Sequence, residues 1–383
     1  LSQSFVFHEF YNNVGMGVSS DAELSVLTGL YPMGDRTLYW EFENINYELV
    51  SLPNLFNQRN YFTKAIHGDN MRFYNRDQVY PDLFFFDEFY ALEHFIEDGY
   101  VVEEGYMYHH EHQLVHHSPW ISDYHLFDYT NQVGQSLLNQ NTPFMLFPVM
   151  MMPHTPYDYD PYGYRTDVFP QYVDQVQRIT MKYLNYVDYL NEVVQRLFLN
   201  ENNEDQTLDD TVYIFYSDHG SGIKNGDLDV LLDKELTVIQ TRRILQNVPA
   251  WIYVPSNDEF VDFGSYQIRK GLLTGDQYLV RSQVDLYRTV IELFDLPIGS
   301  HPYFGVHGLS VEPTYALDNR LMDVVLDDYI YSMRNRRITY PEHTIVPKET
   351  YDYILRFKQL SDIIVAEGHM QNMINEAIYR YYG

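Results

Sequence analysis

The sequence predicts an α/β fold, with a mostly parallel central sheet flanked by helices and a small C-terminal α+β subdomain. Three observations predict it. Short apolar runs rich in β-branched and aromatic residues alternate with stretches of helical periodicity through residues 1–312. Three of those runs are followed at once by a histidine, as when side chains gather at the carboxyl ends of parallel strands. Beyond Glu312 the pattern changes to short alternating runs and one last helix. The expected division is therefore one larger α/β domain over 1–312 and a smaller subdomain over 313–383.

A short helix opens at Pro53, because proline is pre-set for a first helical turn. Phe62–Ile66 and the apolar run Phe144–Met150 read as strands. A long helix over 171–199 follows from Val173, Val176, Tyr183, Leu184, Val187, Leu190, Val194 and Leu197, which recur at helical spacing. Thr211–Tyr216 is a third strand and Val248–Val254 a fourth, with Pro249 favouring an edge or a strand start. Val284–Phe294 is an amphipathic helix that stops before Pro297. In the tail, Val324–Met333 and Arg337–Tyr340 read as antiparallel strands and Lys348–Glu367 as a helix.

Composition narrows the function classes. Acidic side chains number 54 against 25 basic ones, a net charge of −29 over 383 residues. Such a surface repels phosphate backbones, so nucleic acid is excluded as a partner. An anionic lipid surface is repelled too, unless a local pocket reverses the sign. Any anionic substrate must be met by a metal and a few placed Arg or His residues. The absence of cysteine removes disulfides, thiolate metal sites and cysteine nucleophiles. The longest apolar stretch, Pro143–Pro153, is shorter than the roughly 20 residues a membrane span needs. Because the chain begins at Leu1, it reads as a processed or trimmed product whose anchoring segment is absent. Many of the 37 tyrosines are expected to lie half-exposed, with rings packed and hydroxyls wet.

The candidate chemistry sits at the ends of the strands. His67 follows the first, within His67-Gly-Asp-Asn; His154 follows the second, within Pro-His154-Thr; Asp218 and His219 follow the third. If these strands lie parallel in one sheet, the side chains converge on one edge. Asp218 and His219 offer an oxygen and a nitrogen ligand to one divalent metal. Gly15-Met-Gly-Val-Ser-Ser-Asp21 is a loop able to approach a phosphate, with Ser19 or Ser20 at a helix N-terminus. Ser20 also reads as an N-cap completing a capping box with Glu23, and spacing does not choose the nucleophile between the two serines. Arg76, a rare cation beside Phe73 and Tyr74, reads either as a bidentate phosphate clamp or as a surface ion pair with Asp77 or another carboxylate. The histidines between His109 and His117, and His307, read as loop residues.

Taken in order, Gly-x-Gly-x-Ser-Ser-Asp-x-Glu, His67-Gly-Asp-Asn, Phe-Tyr-Asn-Arg76-Asp, Pro-His154-Thr-Pro and Tyr-Ser-Asp218-His219-Gly resemble the extracellular domain of lipoteichoic acid synthases. These belong to the sulfatase-like branch of the alkaline phosphatase superfamily. Trp120-Ile-Ser-Asp123, Tyr186-Val-Asp188, the run from Asn247 to Pro255, Gln283-Val-Asp-Leu-Tyr and Leu360-Ser-Asp362 agree with it. The resemblance covers nearly the whole chain. It implies Ser19 as the metal-bound nucleophile, where the family usually has threonine, and Asp218 and His219 as metal ligands for Mn²⁺, with Mg²⁺ as the substitute. His67, Tyr74, Arg76 and His154 would hold the phosphate and glycerol groups, Tyr74 standing where tryptophan is frequent. The family's remaining ligand, a glutamate upstream of the nucleophile loop, has no counterpart, since Glu9 does not match its motif.

The resemblance thus implies a phosphoglycerol transferase acting on phosphatidylglycerol through a covalent serine intermediate. The acceptor would be a glycerolphosphate polymer or a glycolipid, and the site would face outward from a membrane reached by a segment absent from this chain. The alternatives are another sulfatase-superfamily enzyme (a sulfatase, a phosphodiesterase or a glucan phosphoglycerol transferase) and a non-catalytic surface protein that keeps the fold.

Overall fold

The computed structural model describes residues 1–41, 49–100, 104–109, 112–117, 119–155, 157 and 167–367. Two sheets form the centre. Phe62–His67 is flanked by Glu88–Tyr90 and Phe144–Val149, all parallel, with His67 in register with Val149. The second sheet runs in the order Gly275–Gln277, Phe5–Phe7, Ala250–Tyr253, Tyr213–Tyr216 and is mixed, since only the first pair is parallel. The expectation that three histidine-bearing strands share one sheet is therefore corrected. Two are parallel neighbours, whereas Tyr213–Tyr216 closes the other sheet, paired antiparallel with Ala250–Tyr253. Phe5–Phe7 is too short for its period to be read from sequence, yet it is an inner strand of that mixed sheet.

The α/β class itself holds. Ser51 caps the Leu52–Asn57 helix by accepting the Asn54 amide, and Pro53 sits in its first turn. The long helix is shorter than its periodicity suggested: Arg178–Arg196, preceded by a separate 3₁₀ turn at Pro170–Tyr172. The Gln283–Leu293 helix lies against the Ser19–Thr28 helix. No helix among the described residues is long and apolar enough to cross a membrane.

The tail forms an antiparallel sheet of Ala316–Asp318, Asp323–Val325, Ile330–Ser332 and Thr339–Tyr340, followed by the Lys348–Glu367 helix. It shares its core with the body of the molecule. Leu317, Val324, Tyr331 and Ile354 belong to the same buried cluster as Leu24, Leu27, Ala65, Val284 and Tyr287. A second cluster, including Ile66, Phe95, Ile121, Leu126, Tyr186 and Tyr189, is built around the Asp123–Asn139 and Arg178–Arg196 helices.

A subset of the tyrosines is fully buried: Tyr11, Tyr31, Tyr39, Tyr80, Tyr186, Tyr287 and Tyr331. Several of these phenols donate to buried acceptors, as Tyr39 and Tyr80 do to Glu23 and Tyr287 does to the Val50 carbonyl. A phenol brings apolar area and one donor together, which suits a core that contains charged groups.

Candidate active site

The Ser19–Thr28 helix begins on a strained turn. Val18, immediately before Ser19, has φ 49° and ψ −105°, a region that a β-branched residue enters only under constraint. The constraint is visible in the glycine loop. The Asp21 carboxylate accepts the amides of Gly15 and Gly17, both at 2.9 Å. A Cβ on Gly17 would meet Asp21 at 2.4 Å and Thr37 at 2.5 Å, so the loop closes only with glycine there. Burial pushes the Asp21 carboxyl up to about 6 against the pull of those two amides.

The capping box is not formed. Ser20 Oγ donates to the Gly17 carbonyl and shares a hydrogen bond with Thr37, and no side chain caps the helix. Ser19 is thereby left free to point away. Its Oγ lies 2.6 Å from Asp218 Oδ2, bringing the nucleophile loop onto the end of Tyr213–Tyr216. The same Oδ2 is 3.3 Å from His219 Nε2, while His219 Nδ1 lies 3.0 Å from the Gly220 carbonyl. The Asp218 main-chain carbonyl is held by Gln283 at the start of the next helix.

Ser19, Asp218 and His219 thus converge around one carboxylate oxygen. The donor set suits a hard or borderline divalent cation, and the Gly220 bond leaves the Nε2 lone pair of His219 available. It is a partial shell, since among the described residues no three His, Cys, Asp or Glu side chains come together.

One helical turn beyond Ser19, on the same face, Glu23 receives Arg76. The guanidinium donates to Glu23 from Nη2 at 2.5 Å and from Nε at 3.3 Å, and from Nη1 to the Phe73 carbonyl at 3.1 Å. Arg76 and Glu23 side chains are 1% and 4% exposed, so the surface ion pair considered from sequence is instead buried. Arg72, not Arg76, approaches Asp77. Burial alone would lower the Arg76 pKa, but the Glu23 charge more than offsets it and the guanidinium is held firmly cationic.

His67 is fully buried beside that charge. Burial, then Arg76, then His154 hold its imidazole well below the usual histidine range, so it is neutral. Its Nδ1 accepts the Asp69 amide at 3.2 Å, which places the proton on Nε2. That Nε2 has no partner among the described residues. A buried N–H donor without an acceptor is suited to an incoming oxygen. His154 is half-buried, with Nδ1 on the Thr155 carbonyl at 2.6 Å and its ring edge-on to Trp120. Met151 and Met152 donate their amides to the buried Asp123, which fixes the segment leading to His154.

Tyr74 lies at the junction. Its ring faces Arg76 at 5.3 Å and stacks on Trp40, and burial and then the carboxylates of Asp21, Glu23 and Asp218 raise its phenol against the opposing pull of Arg76. The site residues expected from sequence therefore form two linked groups, Ser19–Asp218–His219 and His67–Tyr74–Arg76–His154. Val18, Asp21, Asp123 and Gln283 shape the site without having been singled out from sequence; all four lie inside recognisable motifs, so their presence was visible and their contacts were not.

The His109–His117 segment was expected to be a loop. Its backbone instead forms an antiparallel hairpin of Glu104–His109 and His112–His117, while His110 and the side chains of the cluster lie outside the described residues. His307 is in a loop, 3.8 Å from Glu292.

Comparison with known proteins places this geometry. Residues 2–296 match the family model described as Sulfatase. Lipoteichoic acid synthase 1 of Bacillus subtilis is 24% identical over 349 residues, covering 90% of this chain and 46% of that protein. Lipoteichoic acid synthase of Staphylococcus aureus is 22% identical, covering 98% of this chain and 52% of that one. The chain thus spans about half the length of the curated relatives it matches. Among solved structures, the lipoteichoic acid synthase LtaP from Listeria monocytogenes superposes with a TM-score of 0.71 at 20% identity, over 95% of this chain and 84% of that one. An alkaline phosphatase superfamily protein from Vibrio parahaemolyticus superposes with 0.61 at 16% identity. With a family model matched across most of its length and this fold beneath it, the chain belongs to the sulfatase family.

Proposed function

We propose that the whole protein is a phosphoglycerol transferase of the lipoteichoic acid synthase type. It would move glycerol phosphate from phosphatidylglycerol to a polyglycerolphosphate chain or a glycolipid, on the outer face of a cell membrane. The observation that carries this reading is the Ser19 hydroxyl, set at a helix N-terminus on a strained turn and hydrogen-bonded at 2.6 Å to Asp218. The lipoteichoic acid synthase relatives supply the substrate class.

Ser19, Asp218 and His219 would hold Mn²⁺ or Mg²⁺, which when bound lowers the serine pKa and polarises a phosphoryl oxygen. The residues of the chain do the rest. Ser19 Oγ attacks phosphorus as its proton passes toward the acceptor of its hydrogen bond, and the P–O bond to diacylglycerol breaks. The neutral His67 donates Nε2–H to a non-bridging oxygen, backed by the Arg76 charge. His154, with Nδ1 engaged by the Thr155 carbonyl, would either protonate the leaving oxygen or hold the phosphate. A glycerol hydroxyl of the acceptor then attacks the glycerophosphoryl-serine as the bond from phosphorus to Ser19 Oγ breaks; Ser19 recovers its proton from Asp218, and the hydroxyl proton replaces the one given to the diacylglycerol oxygen.

The test is the adduct. Intact protein mixed with phosphatidylglycerol and no acceptor should carry a glycerophosphoryl mass on the Ser19 peptide, and Ser19→Ala should carry none. The same mass on Ser20, or turnover with no adduct under trapping conditions, would reject the serine intermediate as written. Faster cleavage of an aryl sulfate than of the lipid would favour a hydrolase of the same family.

A further inference from the structure

In a chain with two acids for every base, arginines find carboxylates easily, and most here do. Arg36, Arg59, Arg72, Arg76, Arg196, Arg242, Arg243, Arg269 and Arg288 all make ion pairs. The C-terminal subdomain breaks the pattern. Arg320, Arg334, Arg336 and Arg337 are exposed, and among the described residues none of them makes an ion pair.

Two of the four line a cleft. Arg336, Arg337, His343, Thr344, Ile345 and Val346 enclose about 430 Å³. Arg336 is fixed in place by the Tyr351 ring, 4.6 Å from its guanidinium carbon. The Lys348–Glu367 helix starts two residues past Val346, so its first-turn amides and the positive end of its dipole lie next to the cleft. Asp352, in the first turns of that helix, pairs with Lys348 at 2.6 Å and also feels the charges of Arg356 and Arg336 without forming an ion pair with either. Glu342 and Glu349 are close in sequence but do not line the cleft. Ile345, at the lip, is 88% exposed, and Ile338 beside the arginines is 44% exposed. Unpaired guanidinium groups, a helix N-terminus and a projecting aliphatic residue form an anion site with an apolar rim, on a protein of net charge −29.

We infer that this cleft binds the phosphodiester of a glycerophosphate, with Arg336 and Arg337 on the phosphate oxygens and Ile345 against the attached glycerol or acyl carbons. A pair of neighbouring guanidinium groups, one of them stacked on Tyr351, matches a phosphodiester in charge and hydrogen-bonding capacity, while Ile345 gives free phosphate nothing to add. The diester can come from a phosphatidylglycerol headgroup in a bilayer or from a soluble glycerophosphate. A bilayer source would give the acidic domain a local patch of reversed sign with which to rest on an anionic membrane. The inference does not depend on chemistry at Ser19.

The experiment uses the whole chain carrying Ser19→Ala, so that no lipid is consumed. It is offered vesicles of phosphatidylcholine with and without phosphatidylglycerol, and separately soluble glycerophosphoglycerol followed by titration calorimetry. Binding to the phosphatidylglycerol vesicles should fall with added salt and be about 30-fold weaker in Arg336→Gln/Arg337→Gln. Binding of the soluble diester alone, lost in that double variant, supports the site and identifies a soluble source. The inference is overturned if the double variant binds both probes as its parent does, or if the parent binds neutral vesicles equally well. Both substitutions are on an exposed turn, and an unchanged circular dichroism spectrum separates loss of binding from loss of fold.

Discussion

Replacing Glu23 by glutamine tests the central strut of the site. Glu23 accepts from Arg76 at 2.5 and 3.3 Å, from Tyr39 at 2.6 Å and from Tyr80 at 2.9 Å. Removing its charge leaves a guanidinium at 1% exposure with only neutral partners among the described residues: the amide oxygen at position 23, the Phe73 carbonyl and the Tyr80 hydroxyl. Breaking one side of such a buried pair costs about 3–5 kcal/mol, much of it the desolvation of the orphaned charge. Glu23→Gln/Arg76→Met removes both charges and should cost less than the two single changes added together, by at least about 1 kcal/mol. Urea unfolding of all four proteins, followed by circular dichroism, gives the coupling from the midpoints and slopes. Because Glu23 lies one turn from Ser19, the single variant should also disturb the nucleophile more than Arg76→Met does. Additive costs would refute the buried strut and restore Arg76 as an independent, solvent-facing phosphate clamp.

Three further outcomes are expected. Val18→Gly should relieve the φ 49° strain, worth about 1–3 kcal/mol less the lost side-chain packing, while lowering kcat because Ser19 is no longer pinned. Unchanged kcat in steady-state assays would show that the strain does not position the serine. Asp21 is raised from 3.8 to about 6 in the fold, so the folded state holds its proton more tightly than the unfolded chain does. Its contribution is fully present below pH 3.8 and lost as pH rises through about 6. Relative to Asp21→Asn, the native chain should therefore lose about 3 kcal/mol across that window, and a flat difference in unfolding free energy would contradict the burial argument. Asp218→Asn should weaken Mn²⁺ binding measured by calorimetry at least tenfold while leaving the fold intact, since Asp218 accepts mainly from Ser19 and its own neighbour. Equal affinity would remove Asp218 from the metal shell.

The sequence by itself determined the alternation of apolar runs and helices, and hence the α/β class, because periodicity reports which faces are buried. It also determined the inventory of reactive groups: His67, His154, Asp218 and His219 just past apolar runs, Ser19 in a glycine loop and Arg76 as a rare cation beside aromatic residues. The start of the tail helix at Lys348 was legible, since a proline precedes it and its helical period is long. Pairing was not legible. Nothing local says that Tyr213–Tyr216 joins a different sheet from Phe62–His67, because hydrogen-bond partners are chosen over distances that a period of two does not record. The same limit applies to side chains. Arg76 beside Asp77 looks like a surface pair in one dimension, yet the fold carries it to Glu23, 53 positions away, and buries both. Ser20 and Glu23 have the spacing of a capping box, but Gly17 and Thr37 take the serine and Arg76 takes the glutamate. Tertiary contacts win in each case because a buried charge or hydroxyl left unpaired costs more than a local cap returns. Only the three-dimensional arrangement decided that the serine freed from capping duty, Ser19, is the one that meets Asp218.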